Sequence, residues 1–180
     1  MRKSVRLLLL AACVAAAPAA IAEHKPANPA QYVSAQLTVS GAVEQPFTVR
    51  VEDLKKFPAA QIVELVRPSR AGVPGDKEQK LTGIRLRDLL DRVKVKTSAH
   101  NDLKKMVVIA GATDGYKVVF SWQEIYNSPL AEGMLVYFAK DGAPLGADEG
   151  QIALVSLKDT NTGPRHVKWL RDLEVKKVAD

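Results

Sequence analysis

Apolar and polar residues alternate in short runs along most of this chain. Ala35, Leu37 and Val39 alternate with polar neighbours until Gly41 interrupts, and Phe47, Val49 and Val51 repeat the pattern. A period of two is that of a half-buried strand, so both runs are predicted strands. Residues 52–57 read as one helical turn stopped by Pro58, and residues 62–66 as a third strand. Leu86, Leu89, Leu90 and Val93 fall at i, i+3, i+4 and i+7, which places them on one face of a short helix. Residues 106–110 and 116–120 are predicted strands joined by the hairpin signal Asp114-Gly115. Ser121 and Glu124 have capping-box spacing and start a helix through Tyr126. Residues 134–138 form a strand before the turn signal Asp141-Gly142, and residues 152–157 and 173–178 are the last strands. The exception is Arg67 to Lys80, which holds Pro68, Gly72, Pro74 and Gly75 and has no apolar period. It reads as a long loop, and loops of that length in compact domains are often functional.

Many short strands with few short helices predict a mixed α+β, β-rich single domain, its helices packed on or at the ends of antiparallel sheet. The strands are not separated by regular helices, which argues against a doubly wound parallel sheet. There is no internal repeat and no low-complexity segment.

The N-terminus changes this picture. Arg2, Lys3 and Arg6 precede an apolar run, Leu7 to Ala20, and Ala20-Ile21-Ala22 is an Ala-x-Ala cleavage signature. Residues 1–22 therefore read as a secretory signal peptide, with periplasmic or secreted localisation. The apolar run is too short for a good membrane span, which takes about 20 residues. Leu10-Ala11-Ala12-Cys13 resembles a bacterial lipobox, the competing reading, in which Cys13 would be lipidated. Residues 23–34 read as an extended polar lead-in, and 35–180 as the domain.

Charge and cysteine narrow the chemistry. Cleavage takes three cations from the 26 Lys and Arg, leaving 23 against 20 acids, a net +3 rather than +6. So modest a balance gives no reason to expect nucleic acid as a partner. Cys13 is the one cysteine, so residues 23–180 hold no disulfide, thiolate metal site or cysteine nucleophile. His24, His100 and His166 have no metal-ligand spacing, and no metal site is evident. No Gly-rich phosphate loop or Gly-x-Ser-x-Gly elbow occurs. Asp148 and Glu149 are adjacent, and in an extended stretch they would point to opposite faces. Trp122, in a first helical turn, is expected in the core.

The distinctive stretch is Gly163-Pro164-Arg165-His166-Val167-Lys168-Trp169-Leu170. Gly163-Pro164 fixes a turn, Val167, Trp169 and Leu170 can anchor it, and Arg165, His166 and Lys168 supply cationic donors for an anion. A solvated basic turn is the plainer reading of the same residues. Arg67 and Arg70 head the long loop, and an anion pocket forms if the two loops meet in space.

Ordered motifs then carry a resemblance. The segment 37–43, with Pro46-Phe47-Thr48-Val49 and residues 53–58, resembles the opening of the molybdopterin-binding domain of the sulfite oxidase family. Residues 81–90 are similar to that family's Gly-x-x-Leu-x-x-Leu-Leu helix entry. Asp114-Gly115-Tyr116 with Phe120-Ser121 and Glu124-Ile125, Asp141 to Leu145 with Asp148-Glu149-Gly150, and the segment 165–170 follow in the family's order. The resemblance spans roughly residues 35–176. It implies a mixed α+β domain holding the pyranopterin of a molybdenum cofactor, and oxygen-atom transfer to or from small oxyanions or sulfoxides. It implies that Arg165, His166 and Lys168 bind the cofactor's phosphate and ring edges.

Three departures fall at the reacting end. The family's molybdenum-ligating cysteine follows the strand matching residues 62–66, where this chain reads Leu65-Val66-Arg67-Pro68. Arg67 cannot ligate the metal but could pair with an anion. The position of the family's catalytic tyrosine counts to Phe138, with Tyr137 expected on the opposite face. The family's Gly-Pro-x-Arg is Gly150-Gln151-Ile152-Ala153. Two functions are therefore expected: a catalytically degenerate module binding a small anion or pterin through Arg67, Arg165, His166 and Lys168 and serving a periplasmic sensor or redox partner, or an active periplasmic molybdenum-cofactor oxidoreductase.

Overall fold

The computed structural model describes residues 28–70 and 72–178. The predicted signal peptide, Cys13 and His24 lie outside the described residues.

Among the described residues, ten strands form two five-stranded sheets. The first has the order β2 (Phe47–Arg50), β1 (Gln36–Gly41), β10 (Leu170–Lys177), β5 (Met106–Ala112), β6 (Lys117–Ser121). Its β1–β10 pair is parallel and its other pairs are antiparallel. The second runs β3 (Ile62–Arg67), β4 (Gln79–Arg85), β7 (Met134–Lys140), with β8 (Ala143–Pro144) and β9 (Ala153–Ser156) both pairing antiparallel to β7. The short α-helices of the described residues, α1 (Val51–Leu54), α2 (Leu86–Leu90) and α3 (Trp122–Tyr126), each follow directly on a strand.

The alternating runs explain the packing. Leu37, Val39, Val49, Val108, Ala110, Leu173 and Val175 of the first sheet share one buried core with Ile84, Met134, Val136, Phe138 and Leu154 of the second. Leu86, Leu89 and Leu90 of α2 and Trp122 and Ile125 of α3 join it. The α3 capping box is present in full: Glu124 N–H donates to Ser121 Oγ at 3.1 Å and Ser121 N–H to Glu124 Oε2 at 2.8 Å.

The predicted long loop is shorter than its sequence suggests. Residues 79–85 form β4, which pairs with both β3 and β7. The register shifts between Thr82 and Gly83, and the bulge breaks the alternation that would have marked a strand. A Cβ on Gly83 would lie 2.2 Å from the Val136 carbonyl oxygen, so only glycine allows this approach to β7. Val51 opens α1 instead of closing β2. The described part of the lead-in is not extended throughout. Pro29–Tyr32 forms a 3-10 turn, and the Tyr32 ring packs 5.7 Å from that of Trp169.

The second sheet buries its other face too. Leu81, Leu135, Tyr137, Ala153 and Val155 form a smaller core there. Strand β7 is therefore apolar on both faces, which is why its sequence is a continuous apolar run.

Candidate functional site

Residues from three separate segments meet at the edge of this smaller core. Strand alternation turns Tyr137 toward it and Phe138 into the main core. Tyr137 is 1% exposed, and its hydroxyl lies 3.0 Å from Glu149 Oε2 and 2.7 Å from His166 Nε2. A phenol has one proton to give. With Glu149 ionised against Lys140 Nζ at 2.6 Å, Tyr137 donates to Glu149 and accepts from His166 Nε2–H. Burial, and next the Glu149 charge, push the Tyr137 hydroxyl well above its usual pKa. The position of the family's catalytic tyrosine counts to Phe138, and Tyr137 lies on the opposite face of β7, as the alternation predicts. The residue facing the site is Tyr137, because Phe138 is needed in the main core.

Glu149 arrives by a turn, which corrects the extended reading of Asp148-Glu149. Glu149 and Gly150 N–H groups both donate to the Gly146 carbonyl, at 3.1 and 3.0 Å. The carboxylates therefore do not diverge to opposite faces, and both residues line one cleft. Trp169 fastens the turn. Its Nε1 donates to the Ala147 carbonyl at 2.7 Å and its N–H to the Glu149 carbonyl at 2.7 Å. Trp169 has φ +50°, uncommon for a bulky residue. Gly150, at φ +83°, leaves room for its ring: a Cβ there would sit 2.9 Å from Trp169 Cδ1.

The 163–170 segment divides its side chains among three environments. Val167 and Leu170 enter the main core, and Val167 bridges Leu154 of β9 in both directions, at 2.9 and 2.7 Å. His166 and Lys168 flank Val167 and line the cleft. Arg165 does not line it, contrary to its expected role. Arg165 Nε donates to Asp159 Oδ2 at 2.6 Å, Nη2 to Asp159 Oδ1 at 2.5 Å, and Nη1 to Glu124 Oε1 at 3.1 Å. Its guanidinium also lies 4.8 Å from the centre of the Phe120 ring. Arg165 thus ties the turn to the start of α3.

Arg67 also lines the cleft and is 9% exposed. It heads the 68–78 loop, and its own donors hold that loop. Nε donates to Gln79 Oε1 at 2.9 Å. Nη1 donates to the Pro68 carbonyl at 3.3 Å and Asp76 Oδ2 at 3.2 Å. Nη2 donates to Asp76 Oδ1 at 2.9 Å and the Lys77 carbonyl at 3.2 Å. A guanidinium has five N–H groups, and these contacts employ them all. Arg67 therefore has no N–H left for a ligand while Asp76 stays in place, which revises its expected direct role.

The two loops do meet. They line one cleft of about 220 Å³, to which the first loop brings Arg67, Arg70 and Asp76, the second Thr162, Gly163, His166 and Lys168, and the segment 140–149 Lys140, Asp148 and Glu149. Lys140 is paired with Glu149, and Arg67 and Arg70 with Asp76. Lys168, half-buried, has no hydrogen bond or ion pair among the described residues. Sequence reasoning missed Tyr137, Lys140 and Glu149 as site residues. No group of three His, Cys, Asp or Glu residues is placed to hold a metal ion among the described residues. A second hollow, about 330 Å³, lies at Thr97–Leu103, far along the chain from these loops.

The sequence matches one protein family, described as the oxidoreductase molybdopterin binding domain, over residues 24–179. No curated protein matches the chain. Among solved structures, the sulfane dehydrogenase SoxCD from Paracoccus pantotrophus is similar, with a TM-score of 0.58 and 21% identity. The match covers 84% of this chain and 40% of that one. At this identity the likeness concerns the fold.

Proposed function

The chain belongs to the oxidoreductase molybdopterin binding domain family, and from that membership we propose that it is an exported holding module of this fold. It binds a small oxyanion, or the phosphate end of a pterin ligand, in the Lys168 cleft, and carries out no metal-centred redox step. The observation that carries the proposal is the contrast between the two loops. Lys168 lines the cleft as a cation with no partner among the described residues, while Arg67 stands where the resemblance puts the metal's thiolate.

The residues fit only one end of the family's cofactor. Lys168, with His166 beside it, suits an anionic group. The metal end finds no thiolate, and the guanidinium in its place is engaged on Asp76, Gln79 and the loop backbone. The cleft of about 220 Å³ is also below the roughly 300–1,000 Å³ usual for small-molecule sites. These residues therefore do not fit molybdenum ligation. Export rests on residues 1–22, whose composition is that of a signal peptide.

One observation favours the alternative, an active molybdenum-cofactor oxidoreductase acting on a small oxyanion or sulfoxide. Tyr137 places a hydrogen-bonded hydroxyl beneath the cleft, one residue from the position counted for a catalytic tyrosine.

The test is a phosphate titration followed by melting temperature at constant ionic strength. Phosphate should raise the melting temperature of residues 23–180, and Lys168→Ala should reduce the rise by at least about half without changing the apo value. Lys176→Ala, an exposed cation on β10, should retain it. An equal rise in wild type and Lys168→Ala would contradict the proposal.

A further inference from the structure

Arg67 and Arg70 converge on the carboxylate of Asp76. Arg67 grips both oxygens, Nη2 to Oδ1 at 2.9 Å and Nη1 to Oδ2 at 3.2 Å. Arg70 adds its backbone N–H at 2.6 Å and its Nε at 3.4 Å, both to Oδ2. A two-pronged guanidinium supplemented by a backbone N–H is how proteins commonly hold oxyanions. The charges here do not balance. Two guanidinium groups face one carboxylate: the Arg67 and Asp76 side chains are each 11% exposed, and Arg70, 50% exposed, brings the excess positive charge to the mouth of the cleft, where a dissolved anion can meet it. A tetrahedral dianion would match both cations and bring more acceptor oxygens than a carboxylate does.

Asp76 reaches this place from outside the core. It ends a turn in which its N–H donates to the Val73 carbonyl at 3.2 Å. Val73, Pro74 and Gly75 are exposed and belong to neither core. Withdrawing Asp76 therefore disturbs no core packing. Arg67 would keep its contact with Gln79, the first residue of β4, and so its orientation. The cations face the same cleft as Lys168.

We infer that Arg67 and Arg70 form an oxyanion seat that Asp76 fills as an internal carboxylate, and that a tetrahedral dianion of the sulfate or phosphate type reaches it by exchange with Asp76. The seat uses a different cation pair from Lys168, so the inference does not depend on the proposed role of that residue.

Sulfate is the probe, with chloride balancing ionic strength. Sulfate should raise the melting temperature of Asp76→Ala at least about twice as much as that of wild type, because the seat is vacant in the variant. Adding Arg67→Ala to the variant should cancel the gain. Equal increments in wild type and Asp76→Ala would overturn the inference. Asp76→Asn gives the same comparison if the alanine variant does not fold. A second readout uses the wild-type chain, in which Lys77 is exposed beside Asp76. Tryptic cleavage after Lys77 should accelerate in sulfate relative to chloride, since exchange releases the turn. A rate indifferent to sulfate would overturn the exchange. Both readouts should persist in Lys168→Ala, so failure at that lysine and failure at this seat are separable.

Discussion

Replacing Tyr137 by phenylalanine removes the buried oxygen that bonds Glu149 and His166 behind the cleft and leaves the ring. The ring packs in the smaller core and is 1% exposed, so apolar burial is unchanged. What is lost is the hydrogen bond to the Glu149 carboxylate at 3.0 Å and the contact with His166 Nε2 at 2.7 Å. A hydrogen bond to a charged group contributes about 1.5–3 kcal/mol. Glu149, 7% exposed, retains Lys140, which limits the penalty of its lost donor, while His166 loses an acceptor. The expected cost is about 2–3 kcal/mol. For a domain of this size it should lower the melting temperature by about 4–12 °C. Urea unfolding measures it, with an unchanged m-value showing that stability alone moved. Tyr116→Phe is the control: its hydroxyl also donates, to the Pro164 carbonyl at 2.8 Å, but in an exposed setting, and should cost less than about 0.5 kcal/mol. A double-mutant cycle with Glu149→Gln should give a coupling of about 1 kcal/mol or more. A Tyr137→Phe cost below about 0.5 kcal/mol would refute the direction assigned to these bonds and the role of Tyr137 in holding Glu149.

Other expectations follow from the same contacts. Tyr137 and Tyr126 are both raised above the ordinary phenol value of 10.0, chiefly by burial and then by neighbouring carboxylates. Above pH 10 the unfolded chain sheds phenolic protons that the folded chain keeps, so stability should fall as pH rises past that value, seen as alkaline unfolding that Tyr126→Phe partly relieves. Arg165→Ala, which breaks contacts to Asp159 and Glu124, should cost about 1.5–3 kcal/mol in urea unfolding, whereas Lys168→Ala should leave stability within about 0.5 kcal/mol. Similar costs for the two would contradict the division of that segment into a brace and a binding residue. Gly83→Ala should cost at least about 2 kcal/mol by forcing β4 from β7, and an unchanged melting temperature would show that the bulge is not required.

Much of the fold was legible because local rules set it. Alternation marked the strands that have one solvated face, and Ser121 with Glu124 marked the start of α3. Strand β4 was hidden because its bulge at Thr82/Gly83 breaks the period. The two faces of β7 were hidden because both are apolar, so nothing in the run Met134 to Phe138 says which side looks toward the cleft. The basic residues of the site were legible as a set, but their partners were not. Arg165 meets Glu124 41 positions away, and Arg67 meets Asp76 only because the 68–78 loop folds back on its own head. A cation's role depends on whether a carboxylate reaches it first, and that is a property of the folded chain.

The holding-module account is tested most directly by the metal and pterin content of the purified protein. Residues 1–180 would be expressed in a host that makes the molybdenum cofactor, and the processed chain recovered, with Glu23 expected as its first residue. Molybdenum per chain should be far below stoichiometric, while phosphate still raises the melting temperature through Lys168. Near-stoichiometric molybdenum with released pterin would contradict the account and favour the active oxidoreductase.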